Sequence, residues 1–257
     1  MFADERQKII YEIIKSDGAV TIARLVSDFQ VSAETARRDL LALERAGLLR
    51  RVHGGAVSKG EIMPRMSLEE RNRSFSEEKV QIAKAAADLV EEGDIIGIDA
   101  GSTAIPFAKE LSRRFSSLTV VTYSRDVFDI LSENKGITVI LTGGEYNGEE
   151  RYFGGPIAIN SLDALYMKKA FIIPVAVSLE YGISWFSKDF SLLSSKLVER
   201  SDKVIVLADS SKFEKCALYK RSETKSGYTY VTDGDLSEAI KSLYSENGIE
   251  IIMGERK

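Results

Sequence analysis

The sequence predicts an α/β chain in two parts: a short helical segment closed by a β-hairpin, then a longer, mostly parallel α/β domain. Two observations carry this reading. In the first 57 residues the apolar positions recur at helical spacing in three runs, punctuated by glycines and polar turns. Beyond residue 78, short apolar runs of strand length alternate with helical stretches. That alternation is the mark of βαβ units and a parallel sheet.

In the first part, Ile9, Ile10, Ile13 and Ile14 form the stripe of one helix, which Gly18 ends. Thr21 is placed to cap a second helix that buries Ile22, Leu25, Val26 and Phe29 at i, i+3, i+4 and i+7. After the turn QVS, Ser32 caps a third helix with Ala36, Leu40 and Leu43 inward, and Gly47 stops it. LLRRVHGGAV then reads as a strand, a glycine turn and a second strand. Residues 58–77 carry much charge, one proline and little periodicity, so they read as a linker with one helical turn. The expected division is 1–57, linker 58–77 and 78–257.

In the second part a helix runs from Glu78 through Ile82, Ala85, Ala86 and Leu89 to Gly93. DIIGID, LTVVT, ITVIL, KAFIIPV, KVIVLAD, YTYVT and IEIIM read as strands. Helices are expected at 104–115, 125–134, 189–201 and 235–245.

Composition narrows the function classes. The chain has 257 residues, 44% hydrophobic and 29% charged, with a formal charge of −4 and a pI near 5.4. A uniformly basic nucleic-acid binder is excluded, but a local basic face is not. One cysteine, Cys216, and one histidine, His53, exclude an internal disulfide and a zinc cluster, and leave little for Ser-His-Asp chemistry. The start MFADERQKII is no signal peptide, and no apolar run approaches the ~18 residues of a membrane span. A soluble cytoplasmic protein without metal or cofactor is expected.

The stretch TARRDLLALERAGLLRRVHGGA carries one chemistry. Arg37 and Arg38 stand about 100° apart around a helix, so one can meet a base edge while the other takes a phosphate. The planar guanidinium fork suits both tasks. Arg50, Arg51 and His53 fall on the hairpin behind, where phosphate contact is expected. Residues 32–53 hold five arginines against three acids, a net +2 in an acidic chain.

A second stretch, IGIDAGSTAIPFAKEL, sets hydroxyls and free backbone N–H groups at a helix start, where an anion is well held. Gly101 permits close approach, and Pro106 falls in the first turn, where its missing N–H costs little. The strand-end loops TYS (122–124), TGGE (142–145) and ADSSKF (208–213) add polar groups, among them Lys212 as a point charge.

The first stretch resembles the winged helix–turn–helix of DeoR-family bacterial transcription regulators, T-x-R-R-D-L-x-x-L-E-x-x-G-x-[LI]-x-R-x-[HY]-G-G-A, from Thr35 to Ala56. The resemblance places the third helix in the major groove of double-stranded operator DNA. It implies DNA-contacting roles for Ser32, Thr35, Arg37, Arg38, Arg50, Arg51 and His53. The later chain is similar to the sensor domain of the same family, with a fold of the ribose-5-phosphate isomerase type. The marks are E-K-x-x-I-A at Glu78, G-D-x-I-x-x-D-x-G-S-T at Gly93 and D-S-S-K-F at Asp209. This implies a phosphorylated sugar effector near Asp99, Gly101, Ser102, Thr103, Thr122, Tyr123, Ser124, Gly143, Gly144 and Lys212. It also implies a homo-oligomer, a dimer or tetramer, acting as a repressor in carbohydrate metabolism.

The chain departs from that pattern around the expected ligand. The family's T-N-S is Thr122-Tyr123-Ser124, and its glycine-rich run is IIPVAV with Pro174. Its E-A-x-x-K helix pattern has Phe190 and Ser194 at the acid and the base. Trp185 and Phe186 add aromatic surface just before. An altered sugar end and an unusual effector are expected. The alternative is an isomerase-like enzyme using Asp99, Glu145 or Glu180, but that enzyme would have no need of the N-terminal reader.

Overall fold

The computed structural model describes residues 1–255. Helix α1 (Ala3–Asp17) buries Arg6, Ile10 and Ile14, while Ile9 of the expected stripe is 42% exposed. Arg6 takes the inward place because Asp39 waits there, 2.5 Å from its Nε. Strand β1 (Ala19–Thr21), too short for periodicity to show, leads into α2 (Ile22–Phe29). Thr21 Oγ1 caps α2 by accepting from the Arg24 N–H at 3.1 Å. Ser32 caps α3 (Ala33–Arg45) by accepting from the Thr35 N–H at 3.1 Å. Strands β2 (Leu49–Val52) and β3 (Gly55–Ser58) form the wing, and β1 extends it into an antiparallel sheet ordered β1-β3-β2. Ile10, Leu25, Leu40 and Leu49 close the small core beneath.

The stretch expected to be a linker is largely ordered. Strand β4 (Glu61–Ile62) pairs in parallel with Lys215–Cys216, and the Met63 N–H continues the bond pattern to the Cys216 carbonyl. Helix α4 (Leu68–Arg73) opens with a Ser67–Glu70 capping box. The backbone partners of this strap lie some 150 residues away in sequence, so local pattern carries no sign of them.

Helix α5 (Ser76–Ala87) begins two residues before the expected Glu78. There follow β5 (Ile95–Ile98), α6 (Ala104–Arg114), β6 (Leu118–Thr122), α7 (Arg125–Leu131) and β7 (Ile137–Leu141). Next come the hairpin β8 (Glu145–Asn147) and β9 (Tyr152–Gly154), then α8 (Gly155–Asp163) and β10 (Met167–Ile172). After these are β11 (Ala176–Ser178), β12 (Gly182–Trp185), α9 (Lys188–Glu199), β13 (Ser201–Leu207), β14 (Lys215–Cys216) and β15 (Tyr219–Ser222). The chain closes with β16 (Thr229–Thr232), α10 (Glu238–Glu246) and β17 (Glu250–Met253).

One seven-stranded sheet, ordered β17-β16-β13-β10-β5-β6-β7, is parallel at every neighbouring pair. The expected strand KAFIIPV ends at Ile172; Pro174, two residues on, has no N–H to extend a ladder. From β5 the chain winds outward through β6 and β7, and from β10 the other way through β13, β16 and β17. The sheet therefore reverses between β5 and β10, and crevices in open α/β sheets form at the carboxyl ends of such strands.

Apolar cores cover both faces. Ile82, Phe107, Leu111 and Val127 belong to one, and Leu162, Leu193, Leu197 and Tyr244 to the other. The second core also takes in Ala19 and Val57 from the wing sheet. Helix α10 sits against that sheet: Ser237 Oγ donates to the Asp17 carbonyl at 2.7 Å and Asn247 Nδ2 to the His53 carbonyl at 3.1 Å. The N-terminal unit is thus docked on the larger domain through core packing and polar contacts.

Candidate functional sites

The N-terminal unit presents one polar face. Ser32, Arg37, Arg38, Arg51 and His53 are exposed, and Thr35 is half-buried with its hydroxyl 2.9 Å from that of Ser32. Arg37, Arg51 and His53 line one hollow between α3 and the wing, with Gly54 at its turn. Gly54 has φ +84, and a side chain there would strike the Glu246 carboxylate of α10. Arg38 lies on the solvent side of α3, 3.2 Å from Glu34 one turn before. Glu44 braces α3 to the wing by accepting from the Arg51 N–H at 2.9 Å and its Nε at 3.1 Å.

Arg50 behaves differently from the other expected DNA contacts. Its guanidinium pairs with Glu180 of the larger domain and lies over the Tyr181 ring, 5.1 Å from the centroid. Asp39, whose motif position gave no role, is structural: Arg6 and Gln7 donate to its two oxygens from α1.

The second site lies at the sheet reversal. A cavity of about 310 Å³ opens there between Ala100, Ile173, Val175, the β8–β9 hairpin and α9. A smaller recess of about 50 Å³ adjoins it, sharing Arg71, Ile173, Val175 and Phe186 as common wall. Gly101 makes the turn beside them with φ +141; a side chain there would press on Ile173.

The recess is rich in buried cations. Lys79, Lys212, Arg71, Ser102, Ser211 and Asp209 line it. Lys79 Nζ donates to the carbonyls of Arg71 and Ser74. Burial, then the charge of Lys212, pulls the Lys79 ammonium down to about 8. Lys212 Nζ donates to the Pro174 carbonyl at 3.1 Å and lies 3.6 Å from Asp209, and its pKa is lowered, chiefly by burial. Arg71 is paired to Glu150. The charge of Asp209 acts on both ammoniums, with Glu78 acting on Lys79 and Asp99 on Lys212, and the two buried ammoniums converge with the Arg71 guanidinium on one recess, which suits an anion. Thr103 Oγ1, on the turn just behind Ser102, is buried with no partner.

Asp99 lies behind this wall and is fully engaged. The Ala100 N–H and Tyr123 Oη donate to Oδ1, and the Ile173 N–H and Ser194 Oγ to Oδ2, the last at 2.7 Å. Burial nonetheless pushes its carboxyl up to about 6. Three departures from the family pattern therefore meet here. Tyr123 and Ser194 hold Asp99, and Phe190 packs edge-on against Tyr123 with centroids 5.9 Å apart.

Of the ten residues expected at the effector, Ser102 and Lys212 stand on the cavity walls, and Gly101 and Thr103 on the turn beside them. Asp99 and Tyr123 form the buried backing. Thr122 Oγ1 instead donates to the Ile98 carbonyl and Ser124 caps α7. Gly143 and Gly144 turn the chain after β7, at the sheet edge, away from the cavity lining. Arg65 and Arg71 from the strap, Lys79, Tyr152 and Tyr219 are cavity residues that sequence reasoning missed. Lys79 stands in the E-K-x-x-I-A mark quoted for the family and was the one available signal.

The chain matches two family models, one for each of its parts. Residues 6–61 match the DeoR-like helix-turn-helix domain, and residues 74–234 the DeoR C terminal sensor domain. The chain is 32% identical to the HTH-type transcriptional repressor GlcR of Bacillus subtilis, over 100% of this chain and 98% of that one. It is 33% identical to the lactose phosphotransferase system repressor of Lactococcus lactis, over 90% and 91%. Among solved structures, ribose 5-phosphate isomerase A of Methanocaldococcus jannaschii aligns at 21% identity and TM-score 0.39, over 55% of each chain.

Proposed function

The chain belongs to the DeoR family of DNA-binding transcription regulators, and on that premise we propose that it represses a carbohydrate-metabolism operon under control of a phosphorylated sugar or related metabolite. It is a regulator rather than an enzyme, as its named relatives are. The α3 face enters the major groove, with Arg37 or Arg38 at base edges, and Arg51 and His53 hold phosphates from the wing. Two copies or four meet the two halves of an operator, since each winged helix reads one half-site. Its place of action is the cytoplasm, with the operator. The division of the chain at 57 and 77 follows the same reading, with the strap as the joint between reader and sensor.

The observation that carries the proposal is the strap itself. Arg65 and Arg71 stand between reader and sensor in sequence; in space Arg71 walls both the larger cavity and the cationic recess, and Arg65 walls the larger cavity. A ligand bound there touches the segment that leads to the DNA-reading unit, so occupancy and reader position are linked by direct contact. The experiment is selection of genomic fragments by the full chain, followed by challenge of the complex with phosphate esters. Selected operator fragments released by a phosphate ester support the proposal. Failure to select any fragment overturns the DNA-reading assignment, and fragments unmoved by any phosphate ester overturn the effector.

A further inference from the structure

We infer that Arg71 reads the anionic group of the ligand by exchange: the bound anion takes the guanidinium from Glu150 of the β8–β9 hairpin, and the strap passes from the hairpin to the ligand. The inference rests on the reading that the cationic recess takes a phosphorylated effector. It names the contact that sets the specificity of that site and the tie that is broken when the site fills.

Among the described residues, four wall both the larger cavity and the recess: Ile173, Val175, Phe186 and Arg71, the one charged side chain of the set. A ligand that fills the recess and extends into the cavity passes this side chain. The charge of Arg71 bears on both buried ammoniums, Lys79 and Lys212, so the guanidinium acts where the anion is held. Its present side-chain partner is nevertheless a carboxylate, Glu150, on the wall of the larger cavity. A planar guanidinium grips carboxylate and phosphate oxygens with the same N–H fork. Glu150 and a bound phosphate are therefore competitors for one group.

The surroundings permit the exchange without loss of structure. The Arg71 carbonyl accepts from Lys79 Nζ, and its Nε donates to the Ser67 carbonyl at 3.4 Å, so the terminal nitrogens move on a held stem. Glu150 is anchored by its backbone: its N–H donates to Asn147 Oδ1 at 2.9 Å, a bond that survives when the carboxylate turns to solvent. The two side chains are 23% and 26% exposed. Water reaches both, and an ion pair so placed is held only modestly. A phosphate in the recess meets Lys79 and Lys212 as well as Arg71, so it outcompetes a lone carboxylate. An uncharged sugar gives Arg71 no anion and leaves the pair with Glu150 intact. The exchange thus separates phosphorylated from unphosphorylated sugars, and it releases the strap from the hairpin only for the former.

The test is calorimetric titration of the full chain, of Glu150→Gln and of Glu149→Gln with inorganic phosphate and with glucose 6-phosphate, at one pH and ionic strength. Glu150→Gln removes the competitor and is expected to bind both probes about three- to tenfold tighter. Glu149, beside it on the same wall, is the control for the general field; Glu149→Gln is expected to change affinity by less than about twofold. Equal gains from the two variants overturn the exchange, because charge alone then accounts for both. The gain from Glu150→Gln is expected to vanish when Arg71→Gln is added; a gain that persists there overturns the role of Arg71. The comparison of the two glutamates leaves Arg71 in place, so it decides the matter even if Arg71→Gln unfolds. Binding by the unaltered chain with no gain in Glu150→Gln overturns this inference and leaves the phosphorylated effector standing. An unaltered chain that binds neither probe overturns both.

Discussion

Glu180, on the turn between β11 and β12, holds the guanidinium of Arg50 on the wing, and Tyr181 lies beneath the same group. A residue expected at a DNA phosphate is thus held by the sensor. The turn continues into β12, which carries Trp185 of the cavity wall. In Glu180→Gln the charge holding Arg50 is gone, and Arg50 becomes available to a phosphate. Operator affinity is expected to rise at low salt, and the slope of log K against log salt to steepen by about one. Titrations at several salt concentrations measure both. An unchanged slope would show that Arg50 does not reach DNA even when released.

Arg38 offers the complementary case. Its partner Glu34 sits one helical turn away and both side chains are well exposed, 77% and 63%. Such a surface pair contributes little to stability. Arg38→Ala is therefore expected to leave folding unchanged while weakening specific operator binding by about 1–3 kcal/mol, the range of a bidentate base contact. Arg51→Ala should instead weaken all sequences alike, because a phosphate contact carries no sequence information. Competition between operator and scrambled duplex separates the two; equal losses on both duplexes for Arg38→Ala would move it to the phosphate class.

Legibility followed the range of the interactions. Helix caps at Thr21 and Ser32 are local, and so was their signal. Five of the seven main-sheet strands lie within one residue of their apolar runs, KVIVLAD is displaced by two residues at each end, and KAFIIPV overruns through Pro174. The strap was illegible because β4 finds its partner at Lys215–Cys216. The same holds for the cavity: Arg71, Trp185 and Tyr219 come from three distant elements with no common period. The departures at Tyr123, Phe190 and Ser194 were visible one by one. Their meeting at Asp99 required the fold.

That meeting has a pH signature. Asp99 has its carboxyl raised from 3.8 to about 6 by burial, so the folded state holds the proton more tightly than the unfolded state. The stability this proton confers is complete below about pH 4 and lost as pH rises through 6. Above 6 the ionised carboxylate depends on its four donors. Tyr123→Phe removes one of them, and is expected to cost about 1–3 kcal/mol at pH 8. At pH 5, where Asp99 is mostly protonated, the cost should be clearly smaller. Denaturant unfolding of both proteins at the two pH values tests this; equal costs would mean that Tyr123 contributes packing alone.

Lys79 gives the opposite pH direction at the ligand. Its ammonium is held down to about 8 by burial and by Lys212, against the favourable charge of Asp209. An anion in the recess adds a negative charge beside it and favours the protonated form. By linkage, anion affinity is greatest while Lys79 is charged and falls as pH rises through 8 into the range where the free protein has lost that proton. Phosphate esters are already dianionic above pH 7, so the ligand itself contributes no step there. Glucose 6-phosphate binding to the full chain should therefore weaken between pH 7.5 and about 9. Lys79→Arg keeps its charge throughout this range and should flatten the profile. A fall that persists unchanged in Lys79→Arg would assign the titration to Lys212, the other buried ammonium of the recess.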